Sequence, residues 1–255
     1  MHDVLLALPF GVAIGLALGL VGGGGSILAV PVLVYVLGEP VKEATTASLA
    51  IVGTTALVGA ADHARVGSVR GRIAAVFGFG GACGAVAGTV LNRLTDAHVL
   101  LLAFAVVMLG SAYAMVRGRA VGPREETPAN VRTLAVRILP VGVGVGVLTG
   151  FFGVGGGFLI VPAFVLLLGL SMPLAIGTSL LVIALTSLSA LAAHLASGSV
   201  DWAVVIAFTA AAIVGALAGS AAGRHLSGAR LTQVFAAMIV AVACFLIAKN
   251  LAAVA

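Results

Sequence analysis

The feature that most constrains this chain is a glycine-rich stretch that occurs twice. Gly19 to Pro31 reads GLVGGGGSILAVP and Gly150 to Pro162 reads GFFGVGGGFLIVP, a displacement of 162 − 31 = 131 residues. Between residues 11–38 and 142–169, 13 of 28 positions are identical, and seven of those are glycine. A glycine cluster between apolar segments, followed by a proline, is what a broken helix inside a membrane requires. The chain can turn there without side-chain clashes, and the N–H groups that open the next helix can face a ligand. Matching interruptions in two halves of one chain point to a transporter's binding site.

Composition sets the solvent. At 62% hydrophobic and 8% charged residues, with mean hydropathy +1.27, the chain has too little polar surface for a soluble globule, and it reads as an all-α polytopic membrane protein. The net charge of +5 does not point to nucleic acid, because the arginines lie in short loops between apolar runs. Cys83 and Cys244 fall inside apolar segments and are expected to be free packing residues. The start, MHDVLLALPF, lacks a positively charged region and reads as part of the mature protein. No Walker A loop, no metal-ligand spacing and no mid-span ionisable residue is present, so no cofactor and no enzymatic activity are expected.

Each half divides into five apolar segments. The first set, A to E, is Val4 to Val21, Ser26 to Leu37, Ala44 to Ala61, Ile73 to Leu91 and Val99 to Val116. The second, A′ to E′, is Leu134 to Phe151, Gly157 to Leu168, Leu174 to Leu195, Trp202 to Ala222 and Leu231 to Val254. B and B′ are short and carry Pro31 and Pro162, so A with B and A′ with B′ read as helical hairpins turning at the glycines. The domain reading is a first repeat over residues 1–116, a cytoplasmic linker over 117–133 rich in arginine and proline, and a second repeat over 134–255.

Charge placement relates the halves. Arg65, Arg70 and Arg72 follow C, whereas nothing basic follows C′; the loop between D and E holds Arg93, whereas that between D′ and E′ holds Arg224 and Arg230. With the linker cytoplasmic, ten of thirteen Lys and Arg fall inside. That solution makes the halves inverted repeats, each a glycine-turn hairpin plus three transmembrane helices, with both chain ends extracytoplasmic. Inverted turns can then meet near the bilayer midplane.

The candidate substrate-binding residues are Gly22, Gly24, Gly25 and Ser26 in the first turn and Gly153, Gly155, Gly156 and Gly157 in the second. Free N–H groups and a helix dipole would attract an anion there; close helix packing is the competing explanation. Matched hydroxyls come next, Ser48 with Ser179 and Thr55 with Thr186, among others on C and C′. They can replace water around an oxyanion, or simply bond back to their own helix. His63 and His194 match within H-x-x-x-G-S-V and read as interfacial structural residues ahead of helix-ending Gly67 and Gly198. Asp62 and Asp201 read as solvated helix ends, and Arg93 and Arg224 as side chains reaching to headgroups. Gly11, Gly15 and Gly19 read as packing positions. Gly80, Gly84, Gly88 and Gly215, Gly219, Gly223 read as seams for helix packing or a homodimer interface.

The doubled glycine motif, followed in each half by H-x-x-x-G-S-V, resembles the TauE/SafE family of bacterial membrane proteins over essentially the whole chain apart from the linker. That resemblance implies an exporter of sulfite or an organosulfonate such as sulfoacetate, multi-pass in the bacterial cytoplasmic membrane. The residues agree in class: a small anionic substrate, a lipid bilayer as surroundings, and alternating access. A passive anion channel would use the same motifs. An intramembrane serine protease would need Ser26 as nucleophile with His63 or His194, but Ser26 precedes Ile27 instead of a glycine.

Overall fold

The structure, a computed structural model, describes residues 2–92, 94–95, 97–117, 131–152, 157–194 and 202–254. Among these the chain is helical without a strand. The helices are α1 (His2–Val21), α2 (Ser26–Tyr35), α3 (Val41–Arg65), α4 (Gly71–Asn92), α5 (Ala97–Arg117), α6 (Val131–Phe152), α7 (Gly157–Pro162), α8 (Met172–His194), α9 (Trp202–Arg224) and α10 (Gly228–Val254). They fall where the ten apolar segments predict them. Five of them, α3, α4, α8, α9 and α10, have described stretches long and apolar enough to cross a membrane.

Hairpin ends repeat as faithfully as their sequences. α2 closes with Leu37 N–H donating to the Val32 carbonyl and Glu39 N–H to that of Leu33. At the 131-residue offset, Leu168 donates to Ala163 and Leu170 to Phe164. Both closures use a glycine at positive φ, Gly38 at 71° and Gly169 at 68°, where a side chain would be strained. In the second copy, Pro162 is followed by a π-helical turn, Ala163–Leu167.

The chain gathers into two compact units, which cut across the sequence repeats. One holds Met1–Ala74 with Ile176–Ser227, the other Ala75–Ala175 with Gly228–Ala255. In the first unit α1 lies along α9 in the same direction. Side chains added at Gly11, Gly15 and Gly19 would run into the Phe208, Ala212 and Ala216 carbonyls, and at Gly215 and Gly219 into those of Val12 and Leu16. The second unit repeats this seam between α6 and α4. Gly142, Gly146 and Gly150 abut the Phe77, Gly81 and Ala85 carbonyls, each pair shifted by 131. Backbones this close can only be reached through glycine, and the contact is made by dispersion where no hydrophobic driving force separates helix from lipid. These glycines are thus used for packing within the chain. Cys83 and Cys244, expected to be free packing residues, are free but exposed.

Within the first unit α3 and α8, copies of one segment, run in opposite directions. A side chain at Gly53 would meet Ser187 and Leu188, one at Gly59 would meet Leu180, and one at Gly177 would meet His63 and Ser68. Backbone N–H of Arg70 donates to Thr178 Oγ1 at 3.1 Å, which ties the start of α8 to the loop after α3. The apolar core beside them joins Ala7 and Ile14 of α1, Leu33 of α2, Ala47 and Ile51 of α3, and Phe208 of α9.

Candidate functional site

The first glycine turn is a true break. α1 ends with Gly22 N–H donating to the Leu18 carbonyl at 2.8 Å, and Gly22 then takes φ 77°, ψ −122°. Few residues other than glycine adopt that conformation. A single 3-10 turn, Gly23–Gly25, leads into α2. The chain doubles back so tightly that a Cβ on Gly25 would sit 2.7 Å from the Ile14 carbonyl oxygen and from the Leu18 nitrogen. Gly22 to Gly25 are all buried. The opening turn of a helix leaves N–H groups without intrahelical acceptors, so this break places donor dipoles in the interior of the unit. In the second turn Gly157 is buried at the start of α7, while Gly153, Gly155 and Gly156 lie outside the described residues.

The hydroxyls divide by what they do with their protons. Ser26 donates to the Gly23 carbonyl at 2.7 Å, Ser48 to Thr45 at 2.8 Å and Ser179 to Ile176 at 2.8 Å. Thr186 donates to Val182 at 2.9 Å, is exposed, and is therefore committed to its own helix. Thr55 differs. It is 1% exposed, yet its Oγ1 has no hydrogen-bond partner among the described residues. The register of the α3 and α8 contacts brings Thr55 and its repeat counterpart Thr186 to the same level of that helix pair. A buried hydroxyl without a partner costs about 1–3 kcal/mol and is uncommon enough to need a reason.

One polar cluster went unread in the sequence. Asp62, expected to be a solvated helix end, accepts from the buried Ser220 hydroxyl at 2.5 Å and pairs with Arg224, so Arg224 does more than reach toward headgroups. The available signal was a carboxylate three residues inside an apolar helix, which calls for a cationic partner. Its neighbour His63 is 7% exposed, with one ring nitrogen hydrogen-bonded to the Gly19 backbone and Nε2 buried without a partner among the described residues. Asp201 and Arg93 lie outside the described residues, as does the side chain of His194. Gly67 ends α3 at φ 76°, as its position predicted.

A family model described as sulfite exporter TauE/SafE matches residues 7–246. Over 253 residues the chain is 34% identical to a probable membrane transporter protein of Xylella fastidiosa, covering 98% of this chain and 97% of that relative. It is also similar to two probable membrane transporter proteins of Bacillus subtilis. Identity to YunE is 26%, over 98% of this chain and 99% of YunE. Identity to YdhB is 28%, over 81% of this chain and 85% of YdhB. No solved structure matches.

Proposed function

This membrane transporter chain belongs to the sulfite exporter TauE/SafE family, and from that premise we propose that it carries a small oxyanion, sulfite or an organosulfonate such as sulfoacetate, out of a bacterial cell across the cytoplasmic membrane. The observation that carries this reading is the buried break at Gly22 to Gly25, which opens α2 among apolar helices. An oxyanion is the ligand such a helix start suits, because backbone N–H groups stabilise negative charge without a fixed cation and so allow release. Thr55 adds a hydroxyl whose proton is uncommitted. In the second repeat the residues at matching positions of the turn are Gly153, Gly155, Gly156 and Gly157, whereas Ser179 and Thr186 spend their protons on their own helix. An inside-negative membrane supplies roughly 2.3 kcal/mol per charge per 100 mV to an anion leaving the cell, so export needs no nucleotide.

Alternating access is the mechanism we assign, and the opposite directions of α3 and α8 support it. If those helices cross the bilayer, the two repeats have opposite orientations, and one site can open to either side by exchanging the roles of the repeats. The test is efflux from proteoliposomes loaded with sulfite or sulfoacetate. Saturable release above that of empty vesicles is expected. Failure of both anions removes the substrate assignment, and unsaturable current in a planar bilayer would replace the transporter with a channel.

A further inference from the structure

His63 is a second polar group that the packing leaves unsatisfied. Its backbone carbonyl is used by the Ser68 N–H at 2.9 Å, which closes α3. One ring nitrogen bonds to the backbone of Gly19, three residues before the break at Gly22. That N–H of Gly19 is committed to α1, so the carbonyl accepts and the imidazole nitrogen facing it carries the proton. Nε2 is then a lone pair, buried and without a donor. Gly177 of α8 comes so close that any side chain there would press on the His63 Cβ, so the ring is held in place from that side as well.

From this geometry we propose that His63 is a proton-binding site of the transporter, and that a proton on its Nε2 accompanies the bound anion. The proposal rests on the anion-transport reading above. The step is simple: Nε2 takes a proton from hydronium, one O–H bond breaks and one N–H bond forms, a water molecule leaves, and the ring gains one positive charge while keeping its bond to Gly19. On α3 itself are Asp62 and, two residues on, Arg65; α9 contributes Ser220 and Arg224, both bound to Asp62. Among the described residues α8 contributes Gly177 and Thr178, the latter engaged with the Arg70 backbone, and α1 contributes the Gly19 carbonyl. Asp62 and Arg224 cancel, so an imidazolium here adds to the positive charge of Arg65 and leaves the cluster net positive. It would sit in the last turn of α3, where helix carbonyls favour a cation. An anion held at the nearby break would neutralise it, and linkage then requires each ligand to tighten the other.

Sequence makes the arrangement one-sided. At the 131-residue offset His63 corresponds to His194, but Asp62 corresponds to Ala193, so only the first repeat places a carboxylate beside its histidine.

Proton uptake measured as sulfoacetate is added to weakly buffered, purified protein tests the proposal. Wild type should take up protons as it binds. His63→Gln, which retains an N–H for Gly19, should bind more weakly at low pH, with no uptake and no pH dependence. Binding by wild type without uptake, or equal uptake by H63Q, overturns the proposal. If wild type binds neither sulfoacetate nor sulfite, the anion reading itself has failed. The proton site is then judged by 15N spectra of a chain with His2, His98, His194 and His225 replaced by Gln, which also serves should H63Q not fold. An imidazole that titrates between about pH 5 and 8 sustains the site, and one that does not removes it.

Discussion

The hydroxyl of Ser220 on α9 donates to the carboxylate of Asp62 on α3 at 2.5 Å, across 158 residues of sequence. Arg224, one turn further along α9, pairs with the same oxygen. Removing the carboxylate strands a fully buried hydroxyl, whereas removing the arginine deletes a group that is 41% exposed and screened by solvent. Asp62→Ala should therefore cost about 2 kcal/mol and Arg224→Ala less than about 1 kcal/mol. Thermal unfolding midpoints in detergent check the order.

Glycines of the two seams should be intolerant where others are not. Gly15→Leu and Gly84→Leu drive a side chain into the backbone of the facing helix and should cost about 3 kcal/mol or more, read as loss of the monodisperse peak in size-exclusion chromatography. Gly110→Ala and Gly144→Ala meet nothing within 4 Å and should be neutral or stabilising by up to about 1 kcal/mol.

Thr55→Val exchanges an unpartnered hydroxyl for a methyl of the same shape. Stability should hold or rise by about 1 kcal/mol, because no described residue hydrogen-bonds that hydroxyl. Sulfite efflux should fall about tenfold or more if the hydroxyl donates to the anion. Ser48→Ala, whose proton is spent on the Thr45 carbonyl, should leave efflux within about twofold.

Orientation is open to labelling. With Cys83 and Cys244 replaced by Ala, Glu39→Cys and Leu170→Cys place thiols at matching positions just after the two hairpin closures. Opposite repeat orientations predict that an impermeant maleimide reaches one from each side of the membrane. Reaction of both from the same side would end the inverted reading.

Much of the architecture was legible because its causes are local. Segment lengths follow from the thickness of hydrocarbon a helix must cross, and the break at Gly22 and the closures at Gly38 and Gly169 follow from glycine's acceptance of positive φ. The hydroxyls were less legible. Ser48, Ser179 and Thr55 are alike as residue types, and their fates diverge only through the rotamer each takes and what surrounds it.

Composition and the 131-residue repeat, read alone, determined that this is a helical membrane protein whose two halves each carry five apolar segments and a glycine cluster. Tertiary structure decided that α1 seats on α9 and α6 on α4, that Asp62 finds Arg224, and that the His63 ring ends beside Gly19. The reason is reach. Hydropathy and backbone freedom belong to neighbouring residues, whereas a seam, an ion pair or an unsatisfied nitrogen exists only once helices far apart in the chain have chosen which faces to share.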